Sequence, residues 1–158
     1  MSGLGGLVRA GLLAAAVAAL APVAAADPYE ADPDLANRDD DYDAGRRAAD
    51  RKDWAEAARL FKRAEVRHPD HADLQNVLGF AYRNLKQYEL AFKHYRRAIE
   101  LDPRHRGAHE YIGETYLLTG DPAGAERHLA ALREICLLPC EELHDLERAI
   151  AEYRRTKQ

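Results

Sequence analysis

The chain has 158 residues, with 27 acidic and 23 basic side chains and a formal net charge of −4. The charges are interspersed, which excludes the basic footprint of a nucleic-acid binder. The one serine is Ser2, and the Gly-Gly pair at 5–6 opens no phosphate loop, so neither serine catalysis nor nucleotide binding has its residues.

The first 26 residues read as a secretory signal. Arg9 precedes an apolar run from Ala10 to Ala21, and Ala24-x-Ala26 is the small-residue pattern that signal peptidase accepts. The run is short for a membrane span, and no cysteine follows the cleavage site to accept a lipid. The expectation is a mature chain that starts near Asp27 and has no membrane span. The Ala- and Arg-rich composition points to a bacterium, and so to the periplasm or the medium. Residues 27–40 are Asp-rich and contain proline, and are expected to form a disordered acidic leader.

Helical periodicity then predicts helices near 41–51, 54–67, 72–85, 88–101, 106–118 and 122–134. Leu74, Leu78 and Tyr82 fall on one helical face, and Tyr88, Ala91, Tyr95 and Ala98 on the face of the next helix. Asn84 to Gln87 is a polar turn between them, and Asp102-Pro103 ends the second helix, because proline cannot donate to the preceding turn. Gly79 sits inside the apolar face, although glycine costs a helix about 1 kcal/mol relative to alanine. Its use there is close approach of the second helix. From Cys140 to Arg155, Leu143, Leu146, Ile150 and Tyr153 form one stripe opposite a charged face. This is the pattern of a helix that caps an open end.

Several columns repeat at a spacing of 34: Gly45, Gly79 and Gly113; Ala57, Ala91 and Ala125; Phe61, Tyr95 and Leu129; Ala48, Tyr82 and Tyr116; Pro69 and Pro103. The second unit carries Leu78-Gly79-x2-Tyr82, then Ala91, Tyr95, Ala98 and Pro103. This resembles the tetratricopeptide-repeat (TPR) family, whose pattern is W-x2-L-G-x2-Y, then A-x3-F, A and P. The first unit departs with Ala48 in place of the tyrosine, and the third with Leu132 and Leu137 in place of the final Ala and Pro. The match runs from about residue 39 to 137.

The resemblance implies an all-α fold, a right-handed α-solenoid of three helix pairs over 41–137 (repeats of about 38–71, 72–105 and 106–139), with a capping helix at 140–156. It implies a non-enzymatic scaffold without cofactor, of the kind found as small exported bacterial TPR proteins. Such a scaffold holds another protein or peptide against the first helices of its repeats. Carried over by repeat position, that groove would be lined by Tyr42, Arg46, Asn76, Phe80, Arg83, Glu110 and Glu114. A subgroup of the family grips a C-terminal carboxylate with Lys, Asn and Arg at five set positions. Those positions here are Tyr42, Arg46, Val77, Gly107 and Tyr111, so that clamp is absent.

Cys136 and Cys140 are the two cysteines, and an oxidising compartment favours a structural disulfide between them. The alternative is a thiol-based copper or redox carrier, with His144 four residues beyond Cys140. His105 and His109 stand at i, i+4, but no carboxylate–histidine motif surrounds them, and they are expected as exposed polar surface.

Overall fold

Five of the helices start at a side chain that accepts a hydrogen bond from the first turn, which satisfies backbone N–H groups that the helix cannot pair itself. These N-caps are Asp39, Asp53, His71, His105 and Asp121. The computed structural model describes residues 33–36 and 39–157, and the expected signal and its Ala24/Ala26 cleavage site lie outside them. The elements are α1 (Pro33–Ala36), α2 (Asp40–Asp50), α3 (Trp54–Arg67), α4 (Ala72–Asn84), α5 (Tyr88–Leu101), α6 (Arg106–Leu118), α7 (Pro122–Ile135) and α8 (Glu141–Thr156). They form an α-solenoid. Helices α2–α3, α4–α5 and α6–α7 are the pairs, each stacked on the next, and α8 closes the far end against α6 and α7. None of the described helices is long and apolar enough to cross a membrane.

Three features recur with the repeat. The first is the turn within each pair. Lys52, Lys86 and Gly120 are 34 apart and all have positive φ, at 60°, 59° and 84°. The N–H of each following residue reaches back to a carbonyl five residues earlier, as Gln87 N does to Tyr82 O at 2.9 Å. This left-handed closure satisfies the last carbonyls of the first helix.

The second is the glycine. A Cβ on Gly45 would stand 2.7 Å from Phe61 Cδ1, and one on Gly79 would stand 2.6 Å from Tyr95 Cδ1. Each ring therefore packs directly against bare helix backbone. In the third pair, Leu129 is too small for that role. The nearest atom to Gly113 is Leu146 Cδ2, at 2.7 Å, supplied by α8. Leu146 is itself 34 residues after Ile112, and Ile150 is 34 after Tyr116. The cap thus keeps the register of a repeat's first helix.

The third is a buried polar clip. His94 Nδ1 lies 2.7 Å from Gln75 Oε1, and Gln75 Nε2 donates to Pro69 O at 3.2 Å. One repeat on, His109 Nε2 lies 3.2 Å from Pro103 O, and His109 Nδ1 lies 3.0 Å from His128 Nδ1. A carbonyl only accepts, so His109 Nε2 carries the proton, and His128 Nδ1 donates to His109 Nδ1. His94 stacks on Tyr82, and His128 on Tyr116.

Two expectations need correction. The segment 27–40 is not a disordered leader throughout. Residues 33–36 form one helical turn, and Leu35 is buried in the core of the first pair, where it covers apolar surface at the solenoid's start. His109 is not surface, because the clip with His128 and Pro103 O buries it. His105 is half-buried, and its Nδ1 accepts from Ala108 N at 3.2 Å.

Candidate partner-binding face

The first helices of the pairs, α2, α4 and α6, carry the residues expected to line a groove. Phe80, Arg83, Glu110 and Glu114 come together there. Phe80 and Arg83 lie nearly one turn apart on α4, and Glu110 and Glu114 one turn apart on α6. The Arg83 guanidinium lies 5.0 Å from the centroid of the Phe80 ring and 5.2 Å from that of Tyr111. It also makes an ion pair with Glu114. The Phe80 and Tyr111 rings are 5.0 Å apart, and Trp54 meets Phe80 edge-on at 5.6 Å. A guanidinium held between two rings and a carboxylate has little freedom left to lose. It therefore presents a pre-organised, partly apolar contact.

Glu110 forms part of the same face. It is 7% exposed, and burial pushes its carboxyl up to about 8. Glu114, Asp145 and Glu142 push in the same direction, and Arg83 opposes them. At neutral pH the group is mostly protonated.

The remaining expected residues are placed differently. Asn76 is buried between α4 and α6, and its Oδ1 has no hydrogen-bond donor among the described residues. Arg46 is half-buried at the α2 end of the face. Tyr42 is not a groove wall: it is fully buried, with its ring 5.7 Å from Phe61, in the same core as Leu35. The large side chain is consumed in filling the first pair, whose Ala44 and Ala48 leave room for it.

Repeat arithmetic did not single out Tyr111 or Trp54 as part of this face. Phe80 and Tyr111 are 31 residues apart and so fall in different columns. Their contact crosses between repeats. The signal that could have found Tyr111 is its place at one of the absent clamp's positions.

Cys136 and Cys140 are joined by a disulfide, with Cα atoms 6.0 Å apart, between the end of α7 and the start of α8. Leu137 and Leu138 of the bridged loop are 90% and 80% exposed. His144 is exposed on α8. Among the described residues no group of three or more His, Cys, Asp or Glu side chains is arranged to hold a metal.

Residues 72–105 match the family model of the tetratricopeptide repeat. The solved structures similar to this chain include the Yersinia enterocolitica type III secretion translocator chaperone SycD, at a TM-score of 0.68 and 19% identity, covering 80% of this chain and 97% of that one. They include the Sgt2 TPR domain from Aspergillus fumigatus, at 0.67 and 19%, covering 82% of each chain. A third is a chain of the CopN–Scc3 complex, at 0.61 and 23%, covering 72% of this chain and 66% of that one. At these identities the likeness is one of fold. Among curated proteins, 64 residues are 36% identical to the human and mouse protein O-mannosyl-transferase TMTC3; they make up 40% of this chain and 7% of each of those proteins.

Proposed function

We propose that this chain, which is built of tetratricopeptide repeats, is an exported scaffold that holds another polypeptide against the inner face of α2, α4 and α6. The observation that carries the reading is the Phe80–Arg83–Tyr111 cluster. Phe80 and Arg83 are partly exposed and are held in place by the buried Tyr111 ring, and aromatic and arginine side chains of this kind are the composition of interface hot spots. The fold supports it: a stack of helix pairs offers an extended concave surface. Two of the similar structures are described as a translocator chaperone and as a protein complex, which fits a polypeptide partner.

The export half of the proposal rests on the signal-like first 26 residues and on a disulfide suited to an oxidising compartment. The thiol-based carrier is the second reading, and the bridge occupies both thiols it would need. Titration of free thiols and metal on protein isolated from its own compartment separates the two, since a carrier yields reduced cysteines with bound metal.

The scaffold reading is tested with a photo-reactive residue at Asn84, one turn beyond Phe80, and a control at Lys93 on the outer side of α5. Both positions are exposed. Cross-links to polypeptides should form from position 84 and be lost with Phe80→Ala and Arg83→Ala. Equal cross-linking from position 93 would remove the inner face as the binding surface.

A further inference from the structure

We infer that the α6 end of the inner face is a receptor for a cationic side chain, a lysine or arginine of the bound polypeptide, with Glu110 and Asn76 as its acceptors. This rests on the scaffold reading and names the chemistry of its partner.

The argument starts from an imbalance of partners. Four carboxylates share this region: Glu110 and Glu114 on α6, and Glu142 and Asp145 on α8. Three of them have an arginine. Glu114 pairs with Arg83, Glu142 with Arg106 at 3.5 Å, and Asp145 with Arg148 at 2.5 Å. Glu110 has none among the described residues, although it is the most buried of the four. Its carboxyl is therefore open to a cation from outside the chain.

Asn76 supplies the independent observation. It occupies the same repeat position as Glu110, 34 residues earlier, on the neighbouring first helix. Its Nδ2 lies 3.4 Å from where a Cβ on Gly107 would stand, one turn before Glu110 and Tyr111, so the amide reaches over to α6. The residue is 4% exposed, and its Oδ1 has no donor. A carboxyl without a cation on α6 and an amide oxygen without a donor on the adjoining α4, with the Phe80 and Tyr111 rings on the same two helices, match what an alkylammonium or alkylguanidinium brings: N–H donors at the tip and an apolar stem. Gly107 keeps the approach open, because it places no side chain over Asn76.

The test uses small side-chain mimics, so it does not depend on finding the natural partner. Butylguanidinium and butylammonium are titrated into the full mature protein with 13C-labelled glutamate, and pentanol serves as the uncharged control. The Glu110 carboxyl resonance should move with either cation and not with pentanol. Glu110→Gln, which removes a buried ionisable group without changing shape, should abolish binding, and Asn76→Leu should weaken it. Binding requires the ionised carboxylate, so the apparent affinity should be about a hundredfold weaker at pH 6 than at pH 9. An unmoved Glu110 resonance, or equal binding by Glu110→Gln, overturns the inference. That outcome leaves the Asn84 cross-links intact. Loss of those cross-links with cation binding retained would overturn the scaffold reading alone.

Discussion

The Tyr95 ring occupies the space that a side chain on Gly79 would need, with Cδ1 and Cε1 each 2.6 Å from the position of a Cβ. Two helices of one pair are thereby brought closer than any other residue at position 79 would allow. Gly79→Leu should destabilise the protein by roughly 1 to 3 kcal/mol or more, because the ring is enclosed and cannot move aside. Gly113→Leu meets Leu146 of α8, so it should loosen the cap and leave the pairs standing. Melting temperature and hydrogen exchange distinguish the two. An unchanged melting temperature in Gly79→Leu would refute this account of the packing.

Asp39 ties the start of α2 to the end of α3. Its carboxylate accepts from Asp41 N and Tyr42 N at 3.0 Å, and from Arg67 Nε and Nη2 at 2.7 Å. The Arg67 bonds hold it down at about 2 against the effect of burial, helped by the two backbone N–H groups. A depressed carboxyl contributes stability that is complete above its unfolded value near 3.8 and is lost as pH falls towards 2. Asp39→Ala should cost about 1 to 2 kcal/mol for the cap alone, measured by urea unfolding at pH 7. It should also flatten the acid limb below pH 4.

The buried histidines act at higher pH. Burial pulls His94 and His128 down to about 4, aided at His94 by Lys62 and Lys93 and opposed there by Glu65, and aided at His128 by His109, Arg127 and Arg96. The unfolded chain binds these protons near 6.5, so stability is full above that pH and falls progressively to about 4. For the nearly inaccessible His94 the loss is up to roughly 3 kcal/mol. His94→Gln should shrink the difference in urea midpoint between pH 7 and pH 4.5. A wild-type midpoint that does not change between those pH values would contradict the clip.

Lys86 adopts a left-handed conformation at no evident gain from its side chain. Lys86→Gly should therefore stabilise the protein by about 0.5 to 1 kcal/mol, and Gly120→Ala should do the reverse. Destabilisation by Lys86→Gly, or stabilisation by Gly120→Ala, read from thermal unfolding, would show that the closure does not govern these turns.

The Cys136→Ser, Cys140→Ser double variant should still fold and still bind its partner. Leu146 and Ile150 remain buried with Leu129 and Leu132, and Arg154–Glu126 and Arg133–Glu147 still join α8 to α7. The loss should be about 2 kcal/mol, the loop-closure contribution. Exchange should quicken in 140–155 and stay unchanged in the first two pairs. Loss of a bound metal with stability intact would instead favour the carrier.

The boundaries of α2 to α8 were legible in the sequence to within one residue, because the 34-residue columns carry the punctuation of the second unit, Asn84 to Gln87 and Asp102-Pro103, onto its neighbours, whereas the turn of helix at Pro33–Ala36 was not. The site was legible only in part. Phe80, Arg83, Glu110 and Glu114 follow from repeat position, but the Tyr111 contact does not, since a periodic pattern aligns equivalent residues and is silent about contacts between unlike ones. Burial of His109 was missed for a related reason. Its spacing from His105 along the helix looks like a surface pair, whereas its partner His128 is 19 residues away on the next helix. Leu35 lies outside the repeat and has no column to reveal it.

The order of contacts along the solenoid also sets how the molecule yields to force. Among the described helices, apart from the cap's hold on α6 and a lighter α4–α6 approach, the broad contacts are between neighbours in sequence, and none of these contacts straps the first pair to the last. Tension applied at the two ends should unspool the array in steps, one helix pair at a time, rather than rupture it at once. The disulfide removes the 136–140 loop from the extensible contour and carries load directly from α7 to α8. Under tension, α8 can peel from α6 and α7 while the covalent link between α7 and α8 stays closed.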